Sequence, residues 1–146
     1  MTAKTTATLS RNPQLVLDVL RDCAKPLSAY EILDQLKSAG LRSPLQIYRA
    51  LTALRQRGYA HRLESLNAFI ACADPDCCAA GVHAFAICDL CGQVTELGDA
   101  ALAGQVEALS VASGFVSSQT VIEVRGSCQI CSSEPGIRHA CESCPS

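Results

Sequence analysis

Two cysteine pairs carry the most specific chemistry in this chain: Cys88-x-x-Cys91 in "CDLCGQVTEL" and Cys128-x-x-Cys131 in "SCQICS". Four thiolates closing on one Zn²⁺ make a tetrahedral site with no open position, the pattern of a structural metal. Such a site adds folding free energy directly, on the order of 10 kcal/mol in small metal-dependent domains. The rival chemistry is thiol redox. That needs the first cysteine of a pair to open a helix, where the dipole lowers its pKa. Here "CGQVTEL" runs on as a strand pattern. Two pairs at this separation therefore read as a zinc staple, with a CxxC redox protein as the alternative of a different class.

The chain around them has 146 residues, ten of them cysteine. Its N-terminal stretch "MTAKTTATLSRNPQ" lacks the apolar run of a secretory signal, and no apolar run is long enough to span a membrane. The reading is a cytoplasmic protein. In that reducing compartment cysteines serve as metal ligands or redox groups more readily than as a disulfide framework. With no Trp, three Phe and three Tyr, a stacking platform for single-stranded nucleic acid is not expected. Charge is unevenly spread. Residues 1–72 hold ten basic and five acidic side chains, whereas residues 73–146 hold two and nine. A basic half suits a polyanion, and the acidic half must do something else.

The elements that position these groups punctuate themselves. Asn12-Pro13 starts a first helix whose apolar residues Leu15, Val16, Val19, Leu20 and Cys23 recur at helical spacing as far as Lys25-Pro26. "SAYE" at 28–31 is a capping box opening a second helix that Gly40 closes. "SPLQ" at 43–46 is a second box, and its helix buries Ile47, Ala50, Leu51 and Leu54 before Gly58. Two capped helices on a tight turn make a helix-turn-helix. "YAHRLES" and "NAFIAC", either side of a turn near Leu66-Asn67, add a hairpin, and three helices followed by a hairpin make a winged helix. Beyond the turn-rich "ADPDCCAAG" come strands "VHAFAI" and "QVTEL", then a weakly amphipathic helix over 99–113 with Leu102, Val106 and Leu109 on one face, then strand "TVIEV". The division is 1–72, a winged-helix DNA-binding domain; 73–81, a linker; 82–132, a metal-binding domain; and 133–146, a cysteine-containing tail. The fold class is α+β: a winged helix-turn-helix followed by a small α/β domain with a four-cysteine zinc site.

Several stretches in order, "SAYEILDQL", "IYRALTALRQRGYAHRLESLNAFIAC", "HAFAICDLCGQVTEL" and "GFVSSQTVIEVRGSCQICS", resemble the ferric-uptake-regulator (Fur) superfamily, most of all its zinc-responsive members, the zinc uptake regulators. The likeness runs from about Leu15 to Ser132. It implies a homodimeric repressor that binds palindromic double-stranded operator DNA, is not an enzyme and takes no small-molecule substrate. It implies one structural and one regulatory zinc per chain. Cys88, Cys91, Cys128 and Cys131 map onto the structural ligands. The sensory ligands fall on His61, Cys72 and Glu96, with His83 as the fourth and Cys77 or Cys78 as substitutes for it. The thiolate of Cys72 favours zinc over Fe²⁺ or Mn²⁺, although an iron-, manganese- or peroxide-sensing relative is the alternative within the family.

Helix-turn-helix proteins read bases with the N-terminal residues of the second helix, which points to Ser43, Gln46, Tyr48 and Arg49, and the "YR" pair matches the family's contacts. Arg55, Arg57 and Arg62 are expected at phosphates, setting affinity more than sequence preference. The start "RNPQL" departs from the family's pattern. His139, Cys141 and Cys144 read as part of a loose tail.

Overall fold

The computed structural model describes residues 8–73 and 82–133. Its first three helices are α1 (Arg11–Asp22), α2 (Ala29–Leu36) and α3 (Pro44–Gln56). The expected start at Pro13 is two residues late, because Ser10 is the N-cap of α1. Pro13 then lies in the first turn, where amides have no intrahelical acceptor and the missing N–H removes no bond.

Both capping boxes form as expected. Glu31 accepts from the Ser28 amide at 2.7 Å, and the Ser28 hydroxyl accepts from the Glu31 amide at 3.3 Å. A left-handed Gly40 (φ 97°) lets the chain turn after α2, with the Leu41 amide donating to the Leu36 carbonyl at 3.2 Å. Val16, Ile32, Ile47 and Leu54, at 0 % exposure, anchor the core between the three helices. Each such side chain contributes about 1.5–3 kcal/mol on burial.

The wing is an antiparallel hairpin of β1 (Ala60–Leu63) and β2 (Ala68–Ala71), with Ala60 opposite Ala71 and Leu63 opposite Ala68. Leu27 adds an isolated bridge to Phe69, tying the hairpin to the helices. The second unit has β3 (Val82–Cys88), β4 (Val94–Leu97), α4 (Ala100–Ala112), β5 (Thr120–Gly126) and a five-residue α5 (Gln129–Ser133). Its sheet order is β4-β3-β5, with β3 antiparallel to β4 and parallel to β5 across the α4 crossover.

A second apolar cluster joins the two units. Leu63 from the wing packs with Phe85 and Ile87 of β3, and Ile70 and Val94 close its edges. The hairpin thus contributes Ala60 and Phe69 to one core and Leu63 to the other. The face expected for the fourth helix is half open among the described residues: Leu102 and Val106 are half-buried, Leu109 is 70 % exposed, and α4 has no fully buried residue. No helix among the described residues is long and apolar enough to cross a membrane.

Candidate metal centres and nucleic-acid interface

The four cysteines of the two pairs converge. Cys88 ends β3, and Cys91 sits in the tight turn that follows, where the Cys88 amide donates to the Gln93 carbonyl at 2.9 Å and Gly92 takes φ 74°. Cys128 follows β5, and Cys131 is the buried residue of α5. That short helix has no periodicity from which to read it. Parallel pairing of Cys88 with Gly126 brings the second knuckle beside the first. The Asp89 amide donates to the Gly126 carbonyl at 2.8 Å, and Arg125 Nε donates to the Asp89 carboxylate at 2.8 Å.

One sulfur from each of the four lies within 4.8 Å of the others. The cross-pair separation of Cys91 Sγ and Cys128 Sγ is 3.8 Å. A tetrahedron with ~2.3 Å zinc–sulfur bonds has edges of about 3.8 Å, so these donors fit zinc. All four are free thiols, and the Cys91–Cys128 contact runs between pairs, whereas a redox CxxC would bond within one. The Cys128 amide donates to Cys88 Sγ at 3.3 Å and, with the Cys91 amide, lowers that thiol to about 6. The neighbouring Cys128 side chain and burial push Cys131 up to about 12. Four thiolates so close repel one another, and a divalent cation is the natural counter-charge.

A second donor set lies where the wing meets the other sheet. His61 on β1, Cys72 just beyond β2 and Glu96 on β4 each offer a donor atom within 4.8 Å of the others. The Cys72 amide donates to the Tyr59 carbonyl at 2.9 Å, which holds the two ends of the hairpin together, and Glu96 accepts from the Ala73 amide at 3.3 Å. His83 is not one of that mutual set. Its ring lies tilted at 41° against His61 with centroids 4.1 Å apart, and its Nδ1 is buried without a hydrogen-bond partner. Burial, with the neighbouring His83, lowers His61 to about 4, and burial also lowers His83. Both imidazoles are therefore held neutral, the form that binds a metal. Cys77 and Cys78, like His139, Cys141 and Cys144, lie outside the described residues.

The recognition helix divides the expected base readers. Ser43 Oγ accepts from the Leu45 amide at 3.2 Å, and Gln46 Oε1 accepts from the Arg42 and Ser43 amides at 3.0 and 3.2 Å. Both polar groups are engaged in the cap. Tyr48 and Arg49 are exposed on the same helix, and so is Leu45, an apolar residue the sequence reading had not singled out. Arg55 and Arg57, at the end of α3, line a cleft of about 650 Å³ with His61, Arg62 and His83. Arg62 is occupied in the wing turn, donating to Asn67 Oδ1 at 3.1 Å and lying 3.5 Å from the Glu64 carboxylate.

A winged helix-turn-helix fused to a four-cysteine α/β unit, with a mixed imidazole–thiol–carboxylate set at their junction, defines a metal-binding winged-helix protein. The chain belongs to the Ferric uptake regulator family, whose model matches residues 3–125. It is 34% identical over 114 residues to the zinc uptake regulation protein of Escherichia coli (strain K12), a match that takes in 77% of this chain and 66% of that protein. The chain thus spans just under two thirds of that relative's length. The crystal structure of holo XcZur is similar with a TM-score of 0.78 and 38% identity, over 86% of this chain and 87% of that one. A zinc uptake regulator complexed with zinc and DNA is similar with a TM-score of 0.79 and 32% identity, over 86% and 83%.

Proposed function

We propose that this protein is a zinc-responsive, DNA-binding transcriptional repressor of zinc-uptake genes, cytoplasmic and homodimeric, with zinc as co-repressor. The observation that carries the reading is the convergence of His61, Cys72 and Glu96 at the junction of wing and second sheet. A thiolate among imidazole and carboxylate donors suits Zn²⁺ better than Fe²⁺ or Mn²⁺. His83, in ring contact with His61, is the fourth ligand of the regulatory site, and Cys88, Cys91, Cys128 and Cys131 hold the structural ion. Zinc at the junction would supply a charge that draws together donors from β1, β3, β4 and the end of β2. His61 and Cys72 carry the position of the wing, and Glu96 carries that of the second unit.

In the division 1–72, 73–81 and 82–132, the first part meets DNA and the third meets a second copy. Tyr48 and Arg49 read bases, Ser43 and Gln46 set the helix start that presents them, and Arg55, Arg57 and Arg62 add positive charge behind them. The half-open apolar face of α4, continued by Phe115 and by Val116 at 93 % exposure, supports a dimer in which a second copy covers it. Two winged helices related by that symmetry suit half-sites about one DNA turn apart.

The test is binding to a duplex carrying a zinc-uptake promoter across buffered free zinc, for wild type and Cys72→Ser side by side. Wild type tightens with zinc by roughly 5–150-fold, the range of ordinary allosteric coupling, and the variant does not. Equal, zinc-independent binding by both proteins sinks the reading, and so does tightening by Fe²⁺ or Mn²⁺ in preference to zinc.

A further inference from the structure

Glu123 makes a contact that neither metal centre uses. It lies on β5 of the second unit, yet its carboxylate reaches the turn of the wing, 59 positions earlier in the chain. Oε1 accepts from the Glu64 amide at 2.6 Å, and Oε2 accepts from the Ser65 amide at 3.2 Å. Burial raises the carboxyl's pKa, but hydrogen bonds from the Ser65 hydroxyl and from both amides, with the Arg125 charge, outweigh it and leave the group lowered and ionised. Hydrogen bonds from backbone amides to a carboxylate are among the stronger ones a protein makes. The turn they hold is already stiff, because Arg62 bridges Glu64 and Asn67, and Asn67 takes the left-handed conformation (φ 47°).

The second unit therefore grips the wing at two points. At the root, His61 and Cys72 face Glu96. At the tip, Glu64 and Ser65 are held by Glu123. Between them run strands of four residues, about 13 Å at the usual rise, with Leu63 sunk into the cluster shared with Phe85 and Ile87. With the tip held, a displacement of the root turns the wing about the tip, whereas a wing held only at the root would slide.

We propose that Glu123 is a positioning residue: its carboxylate clasps the wing turn to β5 and is the fulcrum about which the junction donors set the angle of the DNA-binding unit. The proposal rests on the zinc-responsive reading above. In it, the wing turn is a joint between the two units, with its amides and Arg62 turned to that task, and closure at the root acts on the helices only because the tip cannot slide.

Two measurements on the full zinc-loaded chain test this. The first is amide hydrogen exchange at Glu64 and Ser65. In Glu123→Ala these amides exchange about tenfold faster than in wild type, the loss of a hydrogen bond to a charged acceptor, while the Asp89 amide beside the cysteine centre is unchanged. The second is the ratio of zinc-loaded to zinc-free affinity for the promoter duplex. It falls about fivefold or more in Glu123→Ala, with the four-cysteine zinc retained. Glu123→Gln, which keeps an oxygen acceptor without the charge, is intermediate in both, and it decides the matter if Glu123→Ala does not fold. Unchanged exchange at the two amides, or an unchanged ratio, overturns the proposal. A wild type whose affinity ignores zinc defeats the function proposed above instead, and exchange alone then decides whether the clasp exists.

Discussion

In the proposed function, His61 is a ring prepared for a metal before the metal arrives. Burial and the adjacent His83 lower its pKa from 6.5 to about 4, so the folded chain resists protonating it where an unfolded chain does not. The unfolded state binds more protons between those values, so stability rises with pH across that window. The contribution is complete above pH 6.5 and is lost as the pH falls towards 4. A nuclear magnetic resonance titration of the His61 ring is expected to have its midpoint well below 5, and the stability difference between wild type and His61→Gln should shrink as the pH drops through the window. A midpoint near 6.5 would show the ring to be solvated. Cys88 and Cys131 are shifted in opposite directions within one cluster, the first by backbone amides that donate to its sulfur and the second by the neighbouring Cys128 side chain and burial.

Among the elements, α3 would, in the proposed function, separate presentation from reading. Ser43 and Gln46 hold its first turn, whereas Tyr48 and Arg49 stand clear of it. Ser43→Ala is expected to cost about 1 kcal/mol in urea unfolding, the usual value of an N-cap. It should weaken DNA binding alike for matched and mismatched duplexes. Arg49→Ala should leave the unfolding midpoint in place and lower the affinity for the matched duplex selectively, by about 1–3 kcal/mol for a bidentate base contact. An unfolding midpoint shifted by Arg49→Ala and not by Ser43→Ala would reverse these roles. The capped helices were legible in the sequence because a capping box is local: serine, glutamate or glutamine, and an apolar stripe all fall within a few residues. The same locality explains what was missed. The five-residue α5 is too short for periodicity, and a lone glutamate in "TVIEVRG" gives no sign of a partner 59 positions away. The cysteine centre was legible from its spacing alone, but the set around His61 was legible only through resemblance, because its members come from β1, the end of β2 and β4.

At the scale of the whole molecule, α4 is the element that a single chain does not explain. Leu109 lies open with Phe115 and Val116 while Leu102 and Val106 are half-buried, and the weak amphipathic pattern put those three leucine and valine residues on one face without saying what covers it. If a second copy does so, Leu109→Glu places a charge in that interface. Sedimentation should then report a monomer at concentrations where wild type is a dimer, and affinity for a palindromic duplex should fall towards that of a single half-site. A dimer that survives the substitution would place the interface elsewhere. The uneven charge also gains a place in the fold: among the described residues, nine basic side chains stand on the part that holds α3, and five acidic side chains against one basic stand on the part that α4 belongs to.

The parallel pairing of β3 with β5 has one more consequence, concerning time. Cys88 and Cys128 are 40 positions apart and meet only when β5 has docked beside β3. A ribosome adding about 5–20 residues per second delivers the winged helix first and the second knuckle last. For the few seconds between them, the nascent chain has a finished recognition helix and no second knuckle. In the proposed function, metal capture at the cysteine centre would be a late event in the birth of each molecule, and the DNA-reading part would be complete before the part that holds the metal.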